Sequence, residues 1–204
     1  MRVRTAGRRA ADLPLDLTDD NSLERLSALA AAELGPLRVV INTAGLLHDG
    51  ALQPEKRLSQ VRRQALERSF AINAFGPLLL AQAIEAALPR DRPVHFASLS
   101  ARVGSIGDNR LGGWYAYRAA KAAQNQLLRT LAIEWQRRLP LACVTLLHPG
   151  TAATPLSAPF SGTLAPSALF TPARSASHLL DVLEGQSAAS SGAFLAWDGQ
   201  PVPW

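Results

Sequence analysis

The stretch Leu37–Thr43, with the sequence LRVVINT, decides the fold class of this chain. Its residues are mostly apolar and β-branched, Gly35 and Pro36 precede it and Gly45 follows it, which is typical of a strand buried in a sheet. Three further runs of this kind are predicted as strands: Pro93–Leu99, Leu141–Leu147 and Ala193–Trp197. A remnant of another strand is predicted at Arg2–Thr5.

Helical patterns lie between these strands. The predicted helices are Asp19–Leu34, Gln60–Leu88, Tyr115–Arg138 and His178–Leu183. Pro77 interrupts the longest of them, and because a proline removes a backbone hydrogen bond, we expect a kink one turn earlier, near Asn73. Strands that alternate with such helices predict an α/β fold, a doubly wound parallel sheet flanked by helices, in one domain over residues 1–204.

The composition excludes several classes of protein. A chain of 204 residues, 48% hydrophobic and 18% charged, is large enough for one domain with its own core. The lone Cys143 excludes a disulfide scaffold and a cysteine-based metal cluster, and the scattered histidines argue against any metal site. The formal charge of +5 comes from scattered arginines without interleaved aromatics, which argues against a nucleic-acid partner. The apolar runs are too short for a membrane span and no secretory signal is visible, so we predict a cytoplasmic protein.

The pattern Tyr117-Arg-Ala-Ala-Lys121 carries the strongest chemical signal. Residues four apart on a helix share one face, about 6 Å apart. An ammonium beside a phenol favours the phenolate and lowers the tyrosine pKa from about 10, so Tyr117 is a candidate acid and base. Polar residues at predicted strand ends, Asn42–Gly45 and Ser98–Gly104, are expected nearby, together with Asn73.

Each of these polar residues also has a purely structural interpretation. Asp16 and Thr18 could simply cap the helix that begins near Asp19. The Asn42–Gly45 stretch could serve only as the turn that ends a strand. Asn73 could be a polar surface residue of its helix.

Taken together and in this order, the motifs resemble the short-chain dehydrogenase/reductase family, in its C-factor-like or carbonyl-reductase-like branch. The matching pieces are Asp16-Leu17-Thr18, Asn42–Gly45, Asn73, Ser98–Gly104, Tyr117 with Lys121, His148-Pro149-Gly150 with Thr154, and Asp198–Trp204. The resemblance runs from about residue 2 to the end of the chain. It implies a Rossmann-like fold and an NAD(P)-dependent interconversion of a small carbonyl compound and its alcohol.

The resemblance also implies a role for each matching residue. Tyr117 would exchange a proton with the substrate, Lys121 would lower its pKa and bind the nicotinamide ribose, and Asn73 would hold a water that links Lys121 to solvent. A cofactor site would use Asp16 and Leu17 at the adenine, Asn42, Ala44 and Gly45 at its ribose, and Pro149, Gly150 and Thr154 at the carboxamide.

The sequence departs from the family pattern before Asp16. The glycine-rich loop is absent there, so the first strand, the phosphate loop and the first helix are expected to be missing. That loop and helix normally form the pyrophosphate site. Arg4, Arg8 and Arg9 fall near the place where such folds bind the adenosine ribose and favour NADP over NAD, although the arginine-rich composition explains them equally well.

The catalytic serine is a second departure. The family pattern is Ser-Ser-x-x-Gly, and counting back from Gly104 places Ala101 where the second serine should be. Ser100 precedes that position and Ser105 follows the glycine. We assign Ser100 as the residue that binds the substrate carbonyl, with Ser105 as the alternative.

Two expectations concern partners and the alternative function. Family members pair the helices that correspond to 60–88 and 115–138, so a homodimer or homotetramer is expected. The stretch Leu46–Ser59 and a flap at Thr151–Thr171 would shape the substrate pocket. The alternative is a non-catalytic family remnant, a signalling, scaffold or partner-binding protein that binds dinucleotides weakly or not at all.

Overall fold

A parallel sheet of four strands forms the centre of the computed structural model, which describes residues 2–50, 52–162 and 165–204. The strands are β1 (Ala6–Gly7), β2 (Leu13–Pro14), β3 (Val39–Asn42), β4 (Val94–Leu99), β5 (Ala142–His148), β6 (Thr151–Ala152), β7 (Leu169–Phe170) and β8 (Ala193–Ala196). The central sheet has the order β3-β4-β5-β8, and every neighbouring pair is parallel. The four predicted strands are therefore confirmed, with ends that differ by one or two residues.

The α-helices follow the predicted pattern, with ends that differ from the predicted ones in every helix except α4. They are α1 (Asp20–Ala32), α2 (Arg63–Phe70), α3 (Gly76–Ile84), α4 (Tyr115–Arg138) and α5 (Pro172–Glu184). Short 3₁₀ turns cover Leu58–Gln60, Glu85–Ala87, Arg102–Gly104, Ala158–Phe160, Pro166–Ala168 and Ala188–Ser190. The prediction of α5 from His178 is wrong because the Thr171 side chain accepts from Arg174 N at 3.1 Å and Pro172 occupies the first turn, so the helix begins there.

The long helix over residues 63–84 opens where the sequence predicts it. Between α2 and α3, residues Ala71–Phe75 form one π-helical turn centred on Asn73. Pro77 has no N–H to donate to the Asn73 carbonyl, and its ring crowds that carbonyl, which accounts for the widened turn. The predicted kink is confirmed.

Both faces of the sheet carry core side chains. On one face, Phe96 and Trp135 are fully buried and meet edge-to-face with 6.0 Å between ring centroids. On the other face, Leu179 and Leu183 of α5 pack with Leu147 of β5. This two-sided burial explains why the central strands are nearly continuous apolar runs.

The amino-terminal ribbon, which consists of the paired strands β1 and β2, differs from the prediction. Arg2–Thr5 is not a strand, because the Thr5 N–H donates to the Asp12 carboxylate at 2.7 Å, outside any strand ladder. Instead β1 begins at Ala6 and pairs only with β2.

A groove of about 510 Å³ separates this ribbon from β3, and we call it the edge groove. Residues 6–8, 15–18 and 39–46 line it. The Arg38 carbonyl accepts from His95 N, so Val39 and Ile41 direct their backbone groups to the open side of β3. Their side chains are 43% and 40% exposed.

One helical stretch, Arg63–Ala87, is long and apolar enough to cross a membrane by length and composition alone. It contains α2, the π-helical turn and α3, which pack against α1 and α4, and 44% of its most apolar window is buried. A core helix of a folded domain has the same properties.

Candidate active site

The Tyr117 and Lys121 side chains lie together at the start of α4. The first turn is anchored from another segment, because Glu55 accepts from Ala116 N through its carboxylate at 3.2 Å and from Trp114 N through its backbone carbonyl at 2.5 Å. Tyr117 is 9% exposed and Lys121 is 2% exposed. The Lys121 Nζ atom lies 5.8 Å from the centre of the Tyr117 ring.

Burial controls the titration of both side chains. It raises the pKa of Tyr117 to about 12 and lowers the pKa of Lys121 to about 7. The expectation that Lys121 lowers the tyrosine pKa is therefore wrong for this structure, because burial of the ring disfavours the charged phenolate and is the cause of the shift. Near pH 7 the phenol keeps its proton, which suits it to donate one.

Lys121 has two hydrogen-bond acceptors, and the sequence pattern predicted neither of them. Its Nζ donates to the Leu99 carbonyl and to Gln124 Oε1, both at 2.8 Å. Gln124 is fully buried. Its position three residues after Lys121 and seven after Tyr117 places it on the same helical face, which is the signal that could have found it.

The serine hydroxyls near the end of β4 are engaged with other groups. Ser98 Oγ accepts from Asn42 Nδ2 and Gln124 Nε2, both at 2.8 Å. Ser100 Oγ donates to Asn125 Oδ1 at 2.6 Å, one turn beyond Lys121. Because that hydroxyl faces Asn125, it reaches a substrate carbonyl only if this bond is exchanged.

The other two positions of the serine motif lie on either side of the 3₁₀ turn Arg102–Gly104. Ser105 Oγ accepts from Asp108 N at 3.1 Å and is buried. Ala101, at the position of the family's second serine, has no hydroxyl to offer. The motif therefore presents a different hydrogen-bonding pattern from the family's.

Asn73 is fully buried, so the interpretation as a surface residue is wrong. Its Oδ1 accepts from Leu46 N at 2.8 Å, and its Nδ2 donates to the Leu46 carbonyl at 2.7 Å and to Ser69 Oγ at 3.1 Å. The side chain thus clamps the loop after β3 to the π-helical turn. The water link to Lys121 stays a prediction.

Asp16 forms a local turn, and it does not cap α1. Its Oδ1 accepts from Thr18 N at 2.9 Å and from Thr18 Oγ1 at 2.7 Å. These bonds hold the pKa of Asp16 below its usual value, and the nearby Arg8 adds to the effect. The cap is Asp19, which accepts from Asn21 N at 3.1 Å. The structural interpretation of Asp16 and Thr18 as helix caps is therefore wrong.

All five of the predicted adenosine residues line the edge groove together. They are Asp16, Leu17, Asn42, Ala44 and Gly45. The Asn42 amide accepts from Ala44 N at 3.2 Å, so the strand-ending turn is present as well. Arg4 and Arg8 also line the groove. Its volume is within the range of about 300–1,000 Å³ of small-molecule sites, and the small residues at 44 and 45 let a ligand approach the backbone, so the groove fits the adenosine half of a dinucleotide.

The residues after β5 form a tight turn beneath a flap. Gly150 has a φ of +70°, and a Cβ there would lie 2.7 Å from the Phe170 ring. The Pro149 carbonyl accepts from Ser175 Oγ at 2.9 Å, and Thr154 N donates to Ser157 Oγ at 3.2 Å. These contacts fix the turn where the resemblance places the carboxamide.

The predicted flap is linked to Tyr117 through Trp114 by two aromatic contacts. Strands β6 and β7 pair at its base. Phe160 meets Trp114 with ring centroids 5.0 Å apart, and Trp114 meets Tyr117 at 6.4 Å. Residues 163 and 164 of the flap lie outside the described residues. In the described part of the chain, no group of three or more His, Cys, Asp or Glu side chains could hold a metal.

Comparison with known proteins decides the family. The family model described as enoyl-(acyl carrier protein) reductase matches residues 2–202. The C-signal of Myxococcus xanthus is 34% identical over 171 residues, which cover 83% of this chain and 94% of that protein. The chain belongs to the short-chain dehydrogenase/reductase family.

Two further relatives agree with this assignment. The 1-hydroxy-2-glutathionyl-2-methyl-3-butene dehydrogenase of Rhodococcus sp. (strain AD45) is 30% identical, over 93% of this chain and 78% of that one. The NADPH-bound carbonyl reductase from chicken fatty liver matches with a TM-score of 0.79 and 28% identity, over 94% of this chain and 76% of that one. The chain is thus a short-chain oxidoreductase of the C-factor and carbonyl-reductase type with a Rossmann-like fold.

Proposed function

We propose that this short-chain oxidoreductase reduces a small carbonyl compound to its alcohol with a nicotinamide dinucleotide, and that Tyr117 donates the proton. The observation that carries the proposal is the buried pair of Tyr117 and Lys121 beneath the flap. The phenol keeps its proton near pH 7, because burial raises its pKa to about 12. A protonated phenol is the form that reduction needs.

The residues of the edge groove would hold the adenosine half of the cofactor. Asp16 would accept from the adenine amino group with Leu17 beside it, and Asn42, Ala44 and Gly45 would border the ribose. Pro149, Gly150 and Thr154 would hold the carboxamide, and Lys121 the second ribose. The bound cofactor supplies a hydride to the carbonyl carbon, whereas the protein supplies orientation and charge.

The protein's own groups would manage the proton. Tyr117 would give its proton to the substrate oxygen as negative charge develops there. The Lys121 ammonium would stabilise the phenolate left behind. We keep Ser100 as the hydroxyl that donates to the substrate carbonyl, after it releases Asn125. Asn73 would support the site by holding the loop after β3.

Charge in the edge groove favours the phosphorylated cofactor. Arg4 and Arg8 line the groove, and Arg8 lowers the pKa of Asp16. Guanidinium groups bind phosphate strongly and geometrically. We therefore propose NADP over NAD, and a titration calorimetry experiment that finds NAD bound more tightly would overturn this preference.

We also propose that the protein pairs through its long helices. Phe75, in the π-helical turn, and Ile133, on α4, are 50% and 46% exposed. Exposed apolar side chains on two packed helices suit burial against a second copy. Sedimentation at micromolar concentration should find a dimer or tetramer, and a monomer would refute it.

The test of function uses the only two tyrosines, which lie on the same helix. NADPH consumption is followed with a panel of small aldehydes and ketones. We expect turnover that Tyr117→Phe abolishes and that Tyr115→Phe retains, because Tyr115 is 41% exposed. If the wild-type protein is folded but binds no dinucleotide, the enzymatic proposal fails and the non-catalytic alternative stands.

A further inference from the structure

We propose that Gln124 is a positioning residue whose side-chain carbonyl holds the Lys121 ammonium in its charged form and fixed orientation, and thereby acts on Tyr117. The inference deepens the proposed function and depends on it for its catalytic consequence. The contact itself, with Lys121 Nζ donating to Gln124 Oε1 at 2.8 Å, does not depend on any cofactor or substrate.

The surroundings of Gln124 determine which way its amide faces. Its Nε2 donates to Ser98 Oγ at 2.8 Å and to the Leu99 carbonyl at 3.2 Å. A flipped amide would place its NH₂ group against the Lys121 ammonium and its oxygen against the Leu99 carbonyl. Both contacts would be repulsive, so the hydrogen-bond network fixes the carbonyl toward Lys121.

Packing alone does not explain a glutamine here. Its side chain is fully buried, with an exposed fraction of 0%. The residues one turn before and after it on α4, Ala120 and Leu128, are buried as well. A buried amide is unfavourable compared with an apolar side chain unless its polar atoms are satisfied. The amide oxygen and nitrogen of Gln124 both have hydrogen-bond partners, and the oxygen's partner is Lys121 Nζ.

Among the described residues, no hydrogen bond or ion pair joins Lys121 to a carboxylate that could take over this role. Leu99 and Gln124 provide its two hydrogen-bond acceptors, and both are neutral. The charged or titratable groups on the elements packed against α4 are Arg63, Glu67 and Arg68 on α2, His95 on β4, Arg102 in the 3₁₀ turn, Cys143 and His148 on β5, and Glu55, which accepts from the first turn of α4. Those on α4 itself are Tyr115, Tyr117, Arg118, Arg129, Glu134, Arg137 and Arg138. Burial is the cause of the lowered pKa of Lys121, and none of these groups contributes to it.

A lysine titration tests the inference directly. The chain has two lysines, Lys56 and Lys121, so carbon-13 labelling of lysine gives one exposed and one buried Cε signal for NMR. We expect the Lys121 signal to titrate near pH 7 in the wild-type protein. Gln124→Leu should shift its protonation equilibrium toward the neutral amine by about tenfold to a hundredfold, the range for a hydrogen bond to a charged group.

Two variants and an internal signal complete the experiment. Gln124→Glu keeps the shape and adds a charge, so it should shift the same equilibrium toward the ammonium. Gln126→Leu lies on the exposed side of α4 and should leave it unchanged. The Lys56 signal should not move in any variant. If the leucine variant does not fold, the direction of the glutamate shift decides the question.

Activity measurements separate this inference from the proposed function. If the protein turns over, the high-pH limb of its kcat profile should move to lower pH in Gln124→Leu and to higher pH in Gln124→Glu. An unchanged Lys121 titration in both variants overturns the role of Gln124, even if turnover persists. Shifted titrations in a protein without turnover uphold the contact and refute only the proposed reaction.

Discussion

Gly104 lies where the 3₁₀ turn after β4 touches the helix of the reacting pair. A Cβ at this position would stand 2.8 Å from Lys121 Cβ, 3.0 Å from the Lys121 carbonyl carbon and 3.2 Å from its oxygen. These atoms belong to the backbone of α4 or to the first side-chain carbon, so no rotamer change can move them away. Gly104→Ala therefore forces the turn and the helix apart.

The expected loss of stability follows from this overlap. Overpacking a close contact typically costs about 1–3 kcal/mol. For a chain of this length, each kcal/mol lowers Tm by about 2–4 °C, so we expect Gly104→Ala to lower Tm by about 2–12 °C in thermal circular dichroism. Lys121 should also be displaced, which the lysine NMR titration would detect as a changed Lys121 signal.

Gly185→Ala is the matched control. Gly185 follows α5 with a φ of −78°, and its added Cβ would make an ordinary 3.5 Å contact with the Val182 carbonyl. The same substitution there should be neutral or stabilising by about 0.4–1 kcal/mol, because it restricts the unfolded chain. If the two variants unfold at the same temperature, the turn does not pack on Lys121 as described.

Three further outcomes test the fold and its titration. Val94→Thr, at a side chain 1% exposed, should lose about 1–3 kcal/mol in urea unfolding, whereas Val39→Thr on the open strand edge should change stability by less than about 0.5 kcal/mol. Equal losses would mean that the edge of β3 is covered. Trp135→Ala should lose about 3–5 kcal/mol because this ring is fully buried, and Trp204→Ala, at a ring 51% exposed, should lose under about 1 kcal/mol. Comparable losses in urea unfolding would contradict the described core. The pKa of Lys121 is about 7 in the folded protein against 10.5 as its ordinary value, so the unfolded chain binds more protons between these values and stability rises with pH there. Lys121→Met should remove that rise, and a variant whose stability keeps the wild-type pH dependence would refute the burial of the ammonium.

The central sheet and the helix break were predictable because each has a local cause. Continuous β-branched runs specify buried strands at any position in the chain. Pro77 specifies the π-helical turn because the missing N–H belongs to the residue itself. By contrast, the prediction of a strand at Arg2–Thr5 was wrong because of a residue outside that stretch. The Asp12 carboxylate accepts the Thr5 N–H, which a strand ladder would otherwise use. A periodic pattern contains no information about such a side-chain partner.

In the candidate site, too, the features with a local cause were predictable and those that depend on tertiary packing were not. The spacing of Tyr117 and Lys121 was sufficient to bring them together, because helix geometry is local. The direction of the tyrosine pKa shift was not predictable, since the burial that causes it depends on the tertiary packing around the ring. Gln124 was missed because a glutamine among alanines and leucines has no functional motif around it. Its complete burial and its contact with Lys121 Nζ distinguish it from a surface residue, and both depend on tertiary packing.

The edge groove and the reacting pair are joined by a short chain of buried hydrogen bonds. Asn42, which lines the groove, donates to Ser98; Gln124 donates to the same hydroxyl and accepts from Lys121. Each member is at most 4% exposed. A change in the position of β3 is therefore expected to reach the Lys121 side chain through buried groups, each of which is hydrogen-bonded to the next.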